Sequence, residues 1–136
     1  MVWEGSLARG QGILDGRSGA LAALPLTLAA RLGEPAGQTS PEELVAAAHA
    51  GCYAISLTGE LAKLGSTSDG VEVRATCVLD EVGDRHLVVG SELDVRARVA
   101  VEEDEFQRAV RQADEGCPIS TLIRCSAEIR IAASLN

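Results

Sequence analysis

Aromatic side chains are nearly missing from this 136-residue chain: Trp3, Tyr53 and Phe106 are the whole set. A core without large rings must be filled by Leu, Val, Ile and Ala, with backbones packed close together. Positive charge is also scarce. Twelve Lys and Arg face twenty Asp and Glu, a net charge of −8. Nucleic-acid affinity rests on cations that neutralise phosphates, and anionic membrane surfaces make the same demand. Neither partner is expected, and the acidity reads as solubility. No apolar run reaches the ~20 residues of a membrane span. The opening MVWEGSLARG has no basic head followed by an apolar block, so no signal peptide is expected. These absences point to the cytoplasm, where thiols stay reduced and four cysteines do not form a disulfide framework. CxxC pairs, a GxSxG elbow and a phosphate-binding glycine loop are missing too, which argues against zinc ribbons, serine hydrolases and nucleotide enzymes.

What is present reads as one domain, residues 1–136. The first 38 residues are broken by glycines (EG, RGQG, DGRSG, LGEPAG) and suit short strands and turns, with LPLTLAARL a strand running into a loop. PEELVAAAHAGCYAISLTGELAKLG, residues 41–65, is one long helix. Ser40 at the N-cap, Pro41 at N1 and Glu43 at N3 form a capping box, and Gly65 supplies a stop. Apolar residues lie almost all round it, so burial is expected. Ala46, Ala47, Ala48, Ala50, Gly51 and Ala54 leave a smooth surface that another helix could approach closely. VEVRATCVLD (71–80) and HLVVGSELDVRARVAV (86–101) alternate with period two and predict an antiparallel hairpin with one wet face. Residues 103–116 predict a helix with Phe106, Val110 and Ala113 on one face. CPISTLI predicts a short helix capped by Cys117, and residues 125–133 a final strand. Strands and helices do not alternate regularly, so the class is α+β.

The thiols differ in setting. Cys77 and Cys125 fall in predicted strands and read as small core hydrophobes. Cys117 sits at a helix N-terminus, where unpaired N–H groups favour thiolate. Cys52 lies about three turns into its helix, beyond the dipole, and burial would raise its pKa. It becomes reactive only if a cation, best an arginine, is brought to it from elsewhere. His49 and Cys52 share a helix face, but without further paired ligands a zinc site is disfavoured and no metal or cofactor is expected. His49 reads as a satisfied, half-buried histidine able to tune Cys52.

TSPEELVAAAHAGC, EGCPIS and the N-terminal WEGxxxxGxG together resemble the OsmC/Ohr family, the osmotically inducible protein C and organic hydroperoxide resistance proteins. The family's T-N-P-E-E/Q-L motif precedes a cysteine ten residues after its first acid, and Glu42 and Cys52 keep that spacing, with Ser40 in place of Asn. The G-C-P-[VI]-S signature stands at Gly116–Ser120. The spelling is closer to the OsmC branch. The resemblance implies antiparallel sheets wrapped around a long central buried helix, in an intertwined homodimer with composite active sites. It implies a thiol peroxidase that reduces organic hydroperoxides, with Cys52 attacking, Cys117 resolving and an external dithiol, lipoyl-type or similar, as reductant. It also implies an arginine at the sulfur held by a glutamate. The resemblance makes Glu42 that glutamate, the alternative being a favourable charge in the first helical turn. Arg31, just before the motif, is the first candidate for the arginine, and Arg17 in DGRSG is the second. A non-enzymatic thiol sensor or a small hydrophobic ligand-binding protein of the same fold is the alternative.

One constraint needs no family. Ten residues of helix put Glu42 about 15 Å from Cys52 along the axis. For Glu42 to serve Cys52, the helix must break or a second chain must supply Glu42.

Overall fold

A computed structural model describes all 136 residues, which divide into two compact units, Met1–Leu44 and Val45–Asn136.

In the first unit, strands β1 (Val2–Glu4), β2 (Gln11–Leu14) and β3 (Leu24–Leu26) form an antiparallel sheet in sequence order. Gly10 is required at the turn into β2. A Cβ there would lie 2.4 Å from the Glu4 carbonyl oxygen and 2.5 Å from that of Ser6. After β3 the chain does not run into a loop. Leu28–Leu32 forms a short helix, α1, with Thr27 as N-cap, its hydroxyl accepting from Ala30 N–H at 3.1 Å. Five residues are too few to show a helical period, which is why the sequence pattern missed it.

Helix α2 spans Pro41–Lys63 without a break. The Ser40 hydroxyl accepts from Glu43 N–H at 3.0 Å. The reciprocal half of the capping box is replaced: the Glu43 carboxylate accepts from the Thr39 hydroxyl at 2.6 Å. Gly65, with φ of +75°, ends the helical path. Within the second unit α2 buries one stripe, Ala46, His49, Tyr53, Leu57 and Leu61, at spacings of three and four. Its other side stays open, with Ala48, Gly51 and Ile55 exposed, Ile55 by 76%. All-round burial is therefore not met within one chain.

Strands β4 (Gly70–Val82) and β5 (Arg85–Arg98) pair as an antiparallel hairpin turning at Gly83–Asp84. Gly83 takes a positive φ of 68°, as a two-residue hairpin turn requires. Helix α3 (Glu103–Gly116) and helix α4 (Pro118–Arg124) then lead to β6 (Glu128–Leu135). β6 joins β5 parallel, so the second sheet is mixed. A parallel partner needs a crossover connection, and the two helices form it. The last strand starts at Glu128 rather than at Cys125. Ser126 and Ala127 donate back to the Ile123 carbonyl, which prolongs the helical turn past Cys125.

The core of this unit lies between α2, α3 and the inner sheet face. Tyr53, Leu57, Leu61, Val95, Ala97, Phe106 and Ala113 are wholly buried there. Two of the three aromatic residues are in it, and alanines on α3 allow close approach. We expect Leu57→Ala to lower the unfolding free energy by about 2–5 kcal/mol in urea titrations. Thr58→Ala, one residue on and exposed, should stay within about 0.5 kcal/mol of the native chain.

Candidate active site

Two sulfurs meet in the second unit. The Cys117 thiol donates to the Cys52 sulfur at 3.1 Å, and both cysteines are unbridged. Cys52 is half-buried on α2 and Cys117 fully buried. Cys117 stands where α3 ends and α4 begins, as N-cap of α4 with Pro118 following, and its sulfur accepts from Ser120 N–H at 3.4 Å.

The two thiols are pushed in opposite directions. Burial raises the Cys52 pKa, the Ile119 N–H opposes it, and the Cys117 thiol adds to the rise. No arginine or lysine of Val45–Asn136 is among the groups acting on it. Burial works against the Cys117 thiolate as well. There the Ser120 hydroxyl and N–H, then Cys52 and the Ile119 N–H, outweigh it and leave the pKa below the ordinary thiol value.

In the first unit Arg31, in the last turn of α1, grips Glu42 in the first turn of α2. Nε donates to both carboxylate oxygens at 3.1 and 3.2 Å and Nη2 to one at 2.6 Å. This fork holds the guanidinium in one plane. Hydrogen bonding to Glu42 raises the Arg31 pKa above its usual value. Burial alone would raise Glu42, but the Arg31 hydrogen bond, its own backbone N–H and the Arg31 charge leave it lowered. Arg17 is exposed on the turn after β2 and pairs with no acid. Of the predicted site residues, the structure joins Cys52 to Cys117 and Arg31 to Glu42, and leaves Arg17 aside.

The other candidates sort plainly. His49 is not half-buried but fully buried. It does not turn to Cys52. Its Nδ1 lies 2.7 Å from the Ser91 hydroxyl and its Nε2 2.9 Å from the Ser120 hydroxyl. With both nitrogens so engaged, it has no lone pair to offer a metal, and no cluster of three metal-ligating side chains exists. Cys77 is half-buried on the inner face of β4, opposite Ser91. Cys125 is no core residue. It is exposed at the end of α4, its thiol donating to the Thr121 carbonyl at 3.4 Å. The serines on either side of His49 escaped sequence reading. Ser91 carried a faint signal, a polar residue in the inward register of a strand whose next inward residues are Leu93, Val95 and Ala97.

No helix is long and apolar enough to cross a membrane. The sequence model of the OsmC-like protein family matches residues 33–132. The peroxiredoxin OsmC of Escherichia coli strain K12 is 32% identical over 125 residues, covering 90% of this chain and 85% of its own. A crystal structure of an organic hydroperoxide resistance protein OsmC from Legionella pneumophila superposes with a TM-score of 0.79 at 23% identity, over 98% of this chain and 93% of that one. The organic hydroperoxide resistance protein OhrB of Bacillus subtilis does so with 0.73 at 24% identity, over 98% and 95%. These two share the fold, and the α+β arrangement is theirs. The family match and the identity across nine-tenths of the sequence show that the chain belongs to the OsmC-like protein family.

Proposed function

We propose that the protein is a cysteine-based peroxidase that reduces organic hydroperoxides, with Cys52 as the attacking thiol and Cys117 as the resolving one. The observation that carries this reading is the 3.1 Å contact between the two sulfurs. The Cys52 thiolate attacks the distal peroxide oxygen. The O–O bond breaks, the alkoxide takes a proton and leaves as alcohol, and Cys52 becomes a sulfenic acid. Cys117 displaces its oxygen as water, forming a disulfide that an external dithiol reduces. Such thiol cycling suits a cytoplasmic setting.

Cys52 needs a cation, since burial raises its pKa. Arg31 is the candidate, oriented by Glu42. Because α2 is unbroken, we infer that the Arg31–Glu42 pair of a second chain completes each site in a C2 homodimer. The exposed Ala48, Gly51 and Ile55 side of α2 supports this, since a partner helix would cover it. An apolar recess of about 180 Å³ opens beside Arg31, lined by Trp3, Leu7, Leu26 and Leu28. Its walls suit a hydrocarbon tail better than hydrogen peroxide. A second reading, a thiol sensor without turnover, draws on the raised Cys52 pKa.

Consumption of cumene hydroperoxide with dihydrolipoyl or dithiothreitol reductant separates the two readings. Native protein should turn over and Cys52→Ser should not; a native protein that oxidises once and stops would be a sensor. Removing the cation has a definite sign. The thiolate is the nucleophile, so Arg31→Ala raises the Cys52 pKa and moves the rising limb of kcat/KM to higher pH. Each unit of that rise cuts the neutral-pH thiolate population about tenfold. An unmoved limb would remove Arg31 from the site. The composite site is checked by re-associating Arg31→Ala chains with Cys52→Ser chains at neutral pH, where the former retain little activity and the latter none. One complete site in half of the dimers predicts recovery of about one quarter of the native rate. A site contained in one chain predicts none.

A further inference from the structure

His49 is fully buried between two hydroxyls, and neither the peroxide step nor the arginine uses it. Ser91 comes from β5 and Ser120 from α4, and both are themselves buried, to 1% and 0% exposure. Three elements therefore converge on one imidazole, with its Nδ1 and Nε2 2.7 and 2.9 Å from the hydroxyl oxygens. Ser120 is also the residue whose N–H reaches the Cys117 sulfur and whose hydroxyl favours its thiolate. Polar contacts run from Ser91 through His49 to Ser120, and from the Ser120 N–H at 3.4 Å to Cys117 and on to Cys52.

We propose that His49 is a positioning residue for the resolving thiol: through Ser120 it draws the proton from Cys117 and holds it while the Cys117 sulfur closes on Cys52. This rests on the reading of Cys52 and Cys117 as attacking and resolving thiols. A hydroxyl has one proton to give and can accept others. At rest the Cys117 S–H points to Cys52. Once Cys52 carries its oxygen the S–H turns to the Ser120 oxygen, whose own hydroxyl donates to Nε2 while Nδ1–H donates to Ser91. The sulfur's proton moves to the Ser120 oxygen as the Ser120 proton moves to Nε2. The Cys117 thiolate then attacks the Cys52 sulfenic sulfur. The S–S bond forms, the S–O bond breaks with its electron pair, and the leaving hydroxide becomes water with the proton held on His49. Cys117 sulfur is oxidised, Cys52 sulfur is reduced, and the imidazole returns to neutral.

The charges around His49 allow a brief imidazolium. From its own helix Tyr53 meets it edge to face at 6.5 Å. From α3 Asp114 favours the charged ring, and from α4 Arg124 opposes it. Those two are ion-paired through one Asp114 oxygen, while the other, Oδ1, is buried without a partner. Burial keeps the resting ring neutral, the state that accepts a proton.

The test starts from Cys52→Ser protein, in which Cys117 titrates without its partner thiol. Its thiolate is followed against pH by ultraviolet absorbance, with Cys52→Ser/Cys117→Ser subtracted. His49→Gln retains an amide that can bond to both serines but holds no proton, and Ser120→Ala cuts the line. Both should raise the Cys117 midpoint by about one unit, and Ser120→Thr should restore it. In chains that retain Cys52, His49→Gln should slow disulfide closure about tenfold at neutral pH, in step with that shift. Circular dichroism confirms the fold of each variant. Midpoints within about 0.3 units of the parent in both variants overturn the proposal. A shift in Ser120→Ala alone also overturns it, since the serine would then act without His49. The titration needs no peroxide. If the native protein turns over peroxide while the midpoint stays put, this inference fails alone. If the midpoint moves but no peroxide is consumed, the peroxidase reading fails and the proton path stands.

Discussion

Two thiols 3.1 Å apart in an apolar core impose the constraint from which the rest follows. Both sulfurs cannot carry charge at that distance, so the pair titrates as one unit. Whichever is ionised is stabilised by the other's S–H. The surrounding packing decides where the charge rests. Cys52 lies on α2 beside the buried stripe and receives the Ile119 N–H and the Cys117 S–H. Cys117 caps α4 and receives both donors of Ser120. Within the second unit the charge therefore favours Cys117. A peroxidase that attacks through Cys52 must reverse that preference before substrate arrives, and neutral donors already spent on the other sulfur cannot do it.

A fixed cation can. Arg31 is held by a fork on Glu42, and Glu42 lies in the first turn of α2, where the helix dipole favours its charge. The carboxylate is thus held by the Arg31 guanidinium and by its own backbone N–H. An arginine with three hydrogen bonds already made loses less freedom on meeting a thiolate than a loose one would. This favours Arg31 over Arg17, which stands exposed on its turn with nothing to orient it.

Much of this was legible in the residues, and the misses share a cause. The cap at Ser40, the hairpin through Gly83, the Phe106 face of α3 and the cap at Cys117 depend on neighbours within a few residues, where chain geometry dictates the outcome. The parallel entry of β6 was not legible, because alternation marks a strand with one wet face and says nothing about the direction of its neighbour. The start of β6 was placed too early because Ser126 and Ala127 bond back into α4, a local choice that composition does not announce. The cysteine motifs named the family, but their environment joins residues far apart in the chain: His49 meets Ser91 and Ser120 across 42 and 71 positions. The helix that reads as apolar all round is covered on one side only within the second unit, which supplies one sheet and one neighbouring helical layer.

The two sulfurs then illustrate two ways of holding a thiolate away from water. A guanidinium is strong but costly to bury, and isolating it would leave an unpaired charge in the core. It belongs where one edge stays open, and Arg31 retains 39% side-chain exposure. Hydroxyl and N–H donors carry no net charge and can be buried completely, as Ser91 and Ser120 are. They hold a charge less firmly, which suits a sulfur that must hand its electrons to a neighbour. An attacking thiol has to be ionised before the substrate arrives, whereas a resolving thiol needs to lose its proton only once a sulfenic acid stands beside it. In the site as proposed, a cation for the first and a proton-accepting imidazole for the second match those two timings, and the complete burial of His49 keeps the second device from being triggered by solvent.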